Sequence, residues 1–325
     1  MSPLGILPTP NEVREAAARI ASVVMHTPLI PSPALAALAG GEVLLKLECT
    51  QVSGSFKIRG ALNALLMLSP EQRARGVVAS SAGNHGRGIA MAAERLGVVA
   101  TVFVPSTAPA IKRDGIAAHG ATVDSTNANY DAAEAAARRY ASSTGATFVG
   151  PCTGRTLLAG VGTVALEVLS DLPDLRTMVV CVGGGGLVGG IGGYLRGIAP
   201  AVRILGAQSV RTNAMTLALA SGVPADIPDL PTLADGLAGL VDAEMLAQGQ
   251  AALDGMVTVE EEAIAEAIGW SYREHGLTVE GAGAVGLAAI RSGRLTLRAF
   301  PAVVVVSGAN IDAAKWRGVV DAGVA

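Results

Sequence analysis

Between residues 77 and 150 short apolar runs alternate evenly with stretches of helical periodicity, and this alternation limits the possible folds more than any other feature. Gly76-Val77-Val78-Ala79 reads as a strand and 86–96 as a helix. A strand over 98–104 ends at Pro105, and a helix covers 109–119. Strand 121–124, helix 131–140 and strand 146–149 follow. This β-α-β-α order implies parallel strands joined by helical crossovers. A second alternation begins near 156, with helix 157–169, strand 177–182, a glycine loop, helix 187–198 and strand 202–207. Helices over 260–275 and 282–292, a strand over 302–306 and a helix after Asn310 come last. The stretch 222–258, rich in Pro, Asp and Gly, is expected to be irregular. Upstream, Thr9-Pro10-Asn11-Glu12 forms a capping box with proline at the first helical position, and a strand is expected over 43–47. Half of the chain is hydrophobic but only 3% is aromatic. Small aliphatic residues must then do the packing, which suits helices on parallel strands better than an aromatic-rich sandwich.

The remaining global features exclude several classes. At 325 residues there is room for two domains. A net charge of -3 without a basic run gives no attraction to nucleic acid or to an anionic membrane. Cys49, Cys152 and Cys181 are widely spaced with no metal-type pairing, which points to a reducing compartment and no disulfide framework. The N-terminus lacks a signal-peptide pattern, and the most apolar stretch, 177–195, is broken by glycines. A soluble cytoplasmic enzyme is the expectation.

Three glycine-rich points fall at the carboxyl ends of expected strands, the edge of an open α/β sheet where ligands bind. The strongest is Gly183-Gly184-Gly185-Gly186, before a helix. Consecutive bare N–H groups and a helix N-terminus favour an anion, and a phosphate is the natural guest. A tight turn needs fewer glycines. Gly184, Gly186 and Gly189 also satisfy GxGxxG, so a nicotinamide dehydrogenase is one reading. It needs an acid after the next strand, and Gln208 and Ser209 stand there instead. The chain has four lysines, Lys46, Lys57, Lys112 and Lys315. Lys112 and Lys315 lie in polar helical stretches and are expected to be solvated, whereas Lys46 sits inside a strand, snorkelling or paired. Lys57 opens an apolar helix, where the dipole disfavours a cation and so favours the neutral amine that imine formation needs. Taken alone, an exposed first-turn lysine is the simpler reading of that residue.

The segment SGSFKIRGALNALL around Lys57 resembles the cofactor-lysine motif of the fold-type II pyridoxal-phosphate enzymes, specifically the serine/threonine dehydratase and serine racemase family. SSAGNHGRGIA at 80–90, VGGGGLVGGI at 182–191, TLADGLAG at 232–239, VEGAGAVGLAAI at 279–290 and VVVSGANID at 304–312 resemble the same family in the same order. The resemblance runs from about residue 26 to 312. It implies an α/β fold in two domains, of the tryptophan synthase β-subunit type, each a mostly parallel sheet flanked by helices. The small domain is expected at 67–152, and the large one at 1–66 and 153–325. It implies pyridoxal 5'-phosphate as cofactor, with Lys57 as the Schiff-base lysine and base at the α-carbon. Phe56 and Gly236 would flank the ring. Gly183, Gly184, Gly185, Gly186 and Leu187 would cradle the phosphate. Asn84 would meet the phenolic oxygen and Ser307 the ring nitrogen, with Glu280 near the cofactor. The loop of Ser81, Ala82, Gly83, Asn84 and His85 would receive the substrate carboxylate. On the residues alone, Asn84 and Ser81 could equally cap a helix, His85 could be a satisfied loop histidine, and Ser307 could simply end a strand.

The implied activity is elimination of water and ammonia from a small β-hydroxy amino acid such as L-threonine or L-serine, with a homodimer as the assembly. Three departures from the family pattern bear on this. Ala82 stands where the racemases carry a serine that serves the second face of the substrate. Gly206-Ala207-Gln208-Ser209 replaces an acid-bearing metal stretch, with no acid before Asp226, so no metal is expected. Val161 stands where glutamine is usual. A racemase, or a dehydratase of hydroxyaspartate or of a hydroxyectoine-derived acid, is the alternative on the same scaffold.

Overall fold

The computed structural model describes residues 3–322. Strands are β1 (Leu29–Pro31), β2 (Val43–Lys46), β3 (Val77–Ser80), β4 (Ala100–Pro105), β5 (Thr122–Asn127), β6 (Thr147–Phe148), β7 (Thr177–Cys181), β8 (Arg203–Ser209), β9 (Gly255–Val259) and β10 (Ala302–Val305). They form a six-stranded sheet in the order β1-β2-β10-β7-β8-β9 and a four-stranded sheet in the order β5-β4-β3-β6. Every pair is parallel except β1 with β2. The central strands β3, β7 and β10 are buried along their whole length. Helices cover both faces, which is why these strands read as continuous apolar runs rather than as alternating ones.

The Thr9 capping box forms as expected: Glu12 N–H donates to Thr9 Oγ1 at 3.3 Å while Glu12 Oε2 accepts from Thr9 N–H at 2.7 Å. Helix Lys57–Leu66 packs against Asn84–Leu96 and Arg155–Asp171. The first of these contacts is close because position 88 is glycine. A Cβ there would stand 3.3 Å from the Lys57 carbonyl carbon and from Ile58 N, so a side chain would push the two helix starts apart.

The stretch 222–258 is more regular than its composition suggests. It contains helix Ala243–Ala252 and strand β9. Asp242 caps that helix, Oδ1 accepting from Met245 N–H at 2.8 Å, and β9 exists because the edge of β8 offers it a parallel partner. Pairing of this kind has no periodicity signature in the strand itself.

Candidate active site

The carboxyl ends of the strands of both sheets bring the expected residues toward one another. Lys57 is the first residue of its helix and half-buried, and its Nζ donates to the Pro151 carbonyl at 2.8 Å. That carbonyl lies 3.3 Å from where a Gly186 Cβ would stand, so one residue links the amine to the glycine loop. The segment before Lys57 is stitched to the end of β10. Phe56 N–H donates to the Ser307 carbonyl at 3.2 Å, and Ser55 bridges Gly308. The Lys57 ammonium lies 5.2 Å from the centre of the Phe56 ring.

The glycine loop joins β7 to helix Gly186–Ile198, with Gly185 at the N-cap in the left-handed region at φ 86°. The first N–H groups of a helix have no partner within it. A side chain at 184 or 186 would come within 2.9 Å of Cys152, and one at 183 within 3.1 Å of Leu237. The loop is therefore bare because surrounding chain occupies the space a Cβ would need, and its donors remain free for an anion.

Asn84 is more constrained than a helix cap. The N-cap is Gly83, without a side-chain bond, and the helix starts at Asn84, two residues earlier than its periodicity suggests. Asn84 Nδ2 donates to Glu280 Oε1 at 2.6 Å, and Asn84 Oδ1 accepts from Asn310 Nδ2 at 2.6 Å. One Nδ2 hydrogen remains for another acceptor. Glu280 is buried, and burial pushes its carboxyl up to about 7, opposed by the Asn84 hydrogen bond. A Cβ on Gly308 would collide with Glu280 Oε1. Asn310 also donates to the Ser53 carbonyl at 2.9 Å and accepts from Arg87 at 3.2 Å. Sequence reasoning missed it, although it lies inside one of the recognised stretches.

Ser307 Oγ accepts from the Cys181 thiol at 3.2 Å. Burial pushes that thiol up to about 11, so it stays protonated and donates, leaving the Ser307 hydrogen free to point elsewhere. The turn Asp235–Leu237 brings Gly236 so near the helix following Glu280 that its Cβ would stand 3.2 Å from Ala282 Cβ. The segment before it is held by Glu261, which accepts from Thr232 Oγ1 at 2.7 Å and from Leu233 N–H at 2.6 Å.

His85 is the exception among the expected polar side chains. Its ring is buried and Nε2 donates to the Val149 carbonyl at 2.8 Å. Burial, with the Lys57 charge adding, lowers its ring to about 3, so it is neutral and anchors the loop to the segment after β6. Ser81 Oγ accepts from Gly83 N–H at 3.2 Å.

One lysine departs from the expected solvation, and another takes the paired alternative. Lys112 reaches across to Asp235 at 2.6 Å instead of being left to solvent. Lys46 is fully buried and donates to the Thr27 carbonyl at 2.7 Å and to Glu167 at 2.6 Å. Arg59, also fully buried, completes this group against Glu48 at 2.8 Å and Glu167 at 2.6 Å, directly beneath the Lys57 helix turn.

A profile described as pyridoxal-phosphate dependent enzyme matches residues 20–308. The chain belongs to this family of pyridoxal-phosphate dependent enzymes. The nicotinamide reading of the glycine loop is thereby set aside. Within the pyridoxal-phosphate family, an L-threonine ammonia-lyase of Thermotoga maritima is 41% identical over 308 residues, covering 94% of this chain and 76% of that protein. The structure of maize serine racemase superposes with a TM-score of 0.90 at 32% identity, covering 97% of this chain and 98% of that one. Threonine deaminase isoform 2 from Solanum lycopersicum superposes at 0.88 and 32% identity, covering 98% and 91%. The fold is that of the fold-type II pyridoxal-phosphate enzymes, as the ordered motifs imply. Among the described residues no helix is long and apolar enough to cross a membrane.

Proposed function

We propose that this chain is an ammonia-lyase that converts a small β-hydroxy amino acid, L-threonine or L-serine, to a 2-oxo acid and ammonia, and that residues 67–152 form the small domain facing a large domain of 1–66 and 153–325. The observation that carries this reading is the link from Lys57 Nζ through the Pro151 carbonyl to the bare glycine loop. It sets an amine beside a phosphate cradle, as a covalently held phosphate ester requires. The similarity to the Thermotoga maritima L-threonine ammonia-lyase supports the reaction.

Pyridoxal phosphate, when bound, supplies the electron sink that makes the α-proton removable. The N–H groups from Gly183 to Leu187 would hold its phosphate at a helix N-terminus. Phe56 and Gly236 would bound the ring faces. Asn84 would offer its remaining Nδ2 hydrogen to the phenolic oxygen. Ser307 would offer the pyridine nitrogen a neutral hydroxyl in place of a carboxylate, a setting that would make the ring a weaker electron sink. In the Ser81 to His85 loop, at the start of helix Asn84–Leu96, the N–H groups of Ala82, Asn84 and His85 would take the substrate carboxylate, those of Ser81 and Gly83 being bound to the Phe103 carbonyl and Ser81 Oγ. Lys57 Nζ takes the α-proton. Glu280, its carboxyl pushed up to about 7 by burial, would be able to hold or yield a proton at Oε2 while Oε1 stays bound to Asn84. The net change is loss of water across Cα–Cβ followed by hydrolysis to the 2-oxo acid and ammonia. A homodimer and a reducing, cytoplasmic setting complete the proposal; the three free cysteines support the reducing setting.

Elimination is favoured over racemisation because Ala82, with only a methyl group, has no proton to give on the second face. Incubation with L-serine, followed by a pyruvate assay and chiral chromatography, is expected to show pyruvate with little D-serine. D-serine appearing as fast as pyruvate would overturn this reading, whereas D-serine appearing only in Ala82→Ser supports it.

The residues around Gln208 do not fit a divalent metal. Gln208 is fully buried, its Nε2 donates to the Thr212 carbonyl at 2.8 Å, and its Oε1 accepts from Thr216 N–H at 3.0 Å and Oγ1 at 2.8 Å. Its acceptor capacity is spent inside the protein, and a hard cation needs several oxygen ligands. Activity is expected to be unchanged by EDTA. A strong loss restored by magnesium or calcium would show that a metal does bind.

A further inference from the structure

Gln248 lies on the inward face of helix Ala243–Ala252, which packs against helix Gly186–Ile198 behind the glycine loop. It is fully buried, yet neither Oε1 nor Nε2 has a hydrogen-bond partner in the protein. Its Oε1 stands 2.9 Å from where a Gly189 Cβ would be and 3.7 Å from where a Gly185 Cβ would be. The carboxamide therefore rests against the N-cap and first turn of the helix that carries the loop. Apart from the Met245 carbonyl oxygen, 3.4 Å from the Gly185 Cβ position, its other neighbours there are apolar. The Met215 methyl stands 3.1 Å from the Gly185 Cβ position, and Leu158 stands 3.4 Å from that of Gly189. A leucine would fill such a site without leaving polar atoms bare. A buried carboxamide with both ends unpaired destabilises a protein, so its presence calls for a partner from outside the chain.

We propose that Gln248 is a cofactor-positioning residue: its carboxamide completes the phosphate cradle, donating through Nε2 to the bound phosphate directly or through one ordered water. The two ends of the group exchange by a half-turn of the last side-chain bond, so the donor can face the loop. A neutral donor adds to the backbone N–H groups without adding charge, and hydrogen bonds to ionised oxygens are stronger than those between neutral groups. The inference rests on the glycine loop being the phosphate site.

The test separates the two claims by comparing pyridoxal phosphate with pyridoxal, which lacks the phosphate. Apoenzyme of wild type, Gln248→Leu and Gln248→Glu is titrated with each, reading absorbance for affinity and thermal unfolding for stability. Wild type is expected to prefer pyridoxal phosphate strongly. In Gln248→Leu its Kd is expected to rise roughly ten-fold. Pyridoxal affinity should stay unchanged and the apoenzyme should melt at a higher temperature. Gln248→Glu places a carboxylate beside the phosphate and is expected to weaken pyridoxal phosphate further, again sparing pyridoxal. It also carries the measurement if the leucine variant does not fold. A wild-type preference retained in both variants, or equal losses for both ligands, would overturn the role of Gln248 and leave the loop assignment standing. Absence of any preference in wild type would overturn the loop assignment itself.

Discussion

Lys57→Ala is expected to remove the visible absorption of the bound cofactor and to lower kcat by about 10³-fold or more, because it deletes both the covalent anchor and the base at the α-carbon. No other lysine can substitute. Lys46 is buried and bound to Thr27 and Glu167, Lys112 is paired with Asp235, and Lys315 lies in the exposed final helix. The fold should survive, since Lys57 is half-buried and its side chain makes one hydrogen bond, to Pro151. Absorbance spectra before and after borohydride treatment, with circular dichroism as a control for folding, decide the matter. A variant that keeps its colour or turnover would refute the assignment of Lys57.

The second large effect concerns stability. Arg59→Met is expected to cost roughly 3–5 kcal/mol, because breaking a buried ion pair leaves an uncompensated buried charge. Arg59 bonds Glu48 through Nε and Nη2 and Glu167 through both terminal nitrogens. With Lys46 it balances two carboxylates by two cations. The pull of these carboxylates raises the Arg59 guanidinium above its usual range against the opposing cost of burial, and Arg59 and Lys46 hold the Glu167 carboxyl below the usual range. A lowered carboxylate contributes stability above its unfolded value and loses it as pH falls through the folded one, so the protein should weaken on acidification below the ordinary glutamate range. Urea unfolding of wild type and Arg59→Met, at neutral and mildly acid pH, measures both. Adding Glu167→Gln to Arg59→Met should recover part of the loss, since the two act as one network. Simple additivity would show that they do not. The same network fixes the first turn of the Lys57 helix, two residues from the amine.

Much of this was legible in the chain itself. The β-α alternation sets parallel strands because a helical crossover returns the chain in the same direction, and the glycine run marks the strand end where an anion can reach bare N–H groups. Lys57 acquired meaning from the ordered motifs around it, whereas its own position left an exposed lysine as the simpler reading. The site's inner connections were not legible. That Asn84 is fixed between Glu280 and Asn310, and that Pro151 joins Lys57 to the loop, depends on segments far apart in sequence meeting at the strand ends. Strand β9 was missed for the same reason, as two helices and a long loop separate it from its partner β8. His85, Lys112 and Gln248 show the limit most sharply. Residue type says that each is polar, but whether it faces solvent, a carboxylate, a carbonyl or nothing in the protein is decided by what packs over it. Local pattern sets backbone periodicity because it acts over a few residues. Partnering of polar side chains, and the shifts that burial imposes on groups such as Glu280, are set by the tertiary structure, because only there does the surrounding medium change from water to protein.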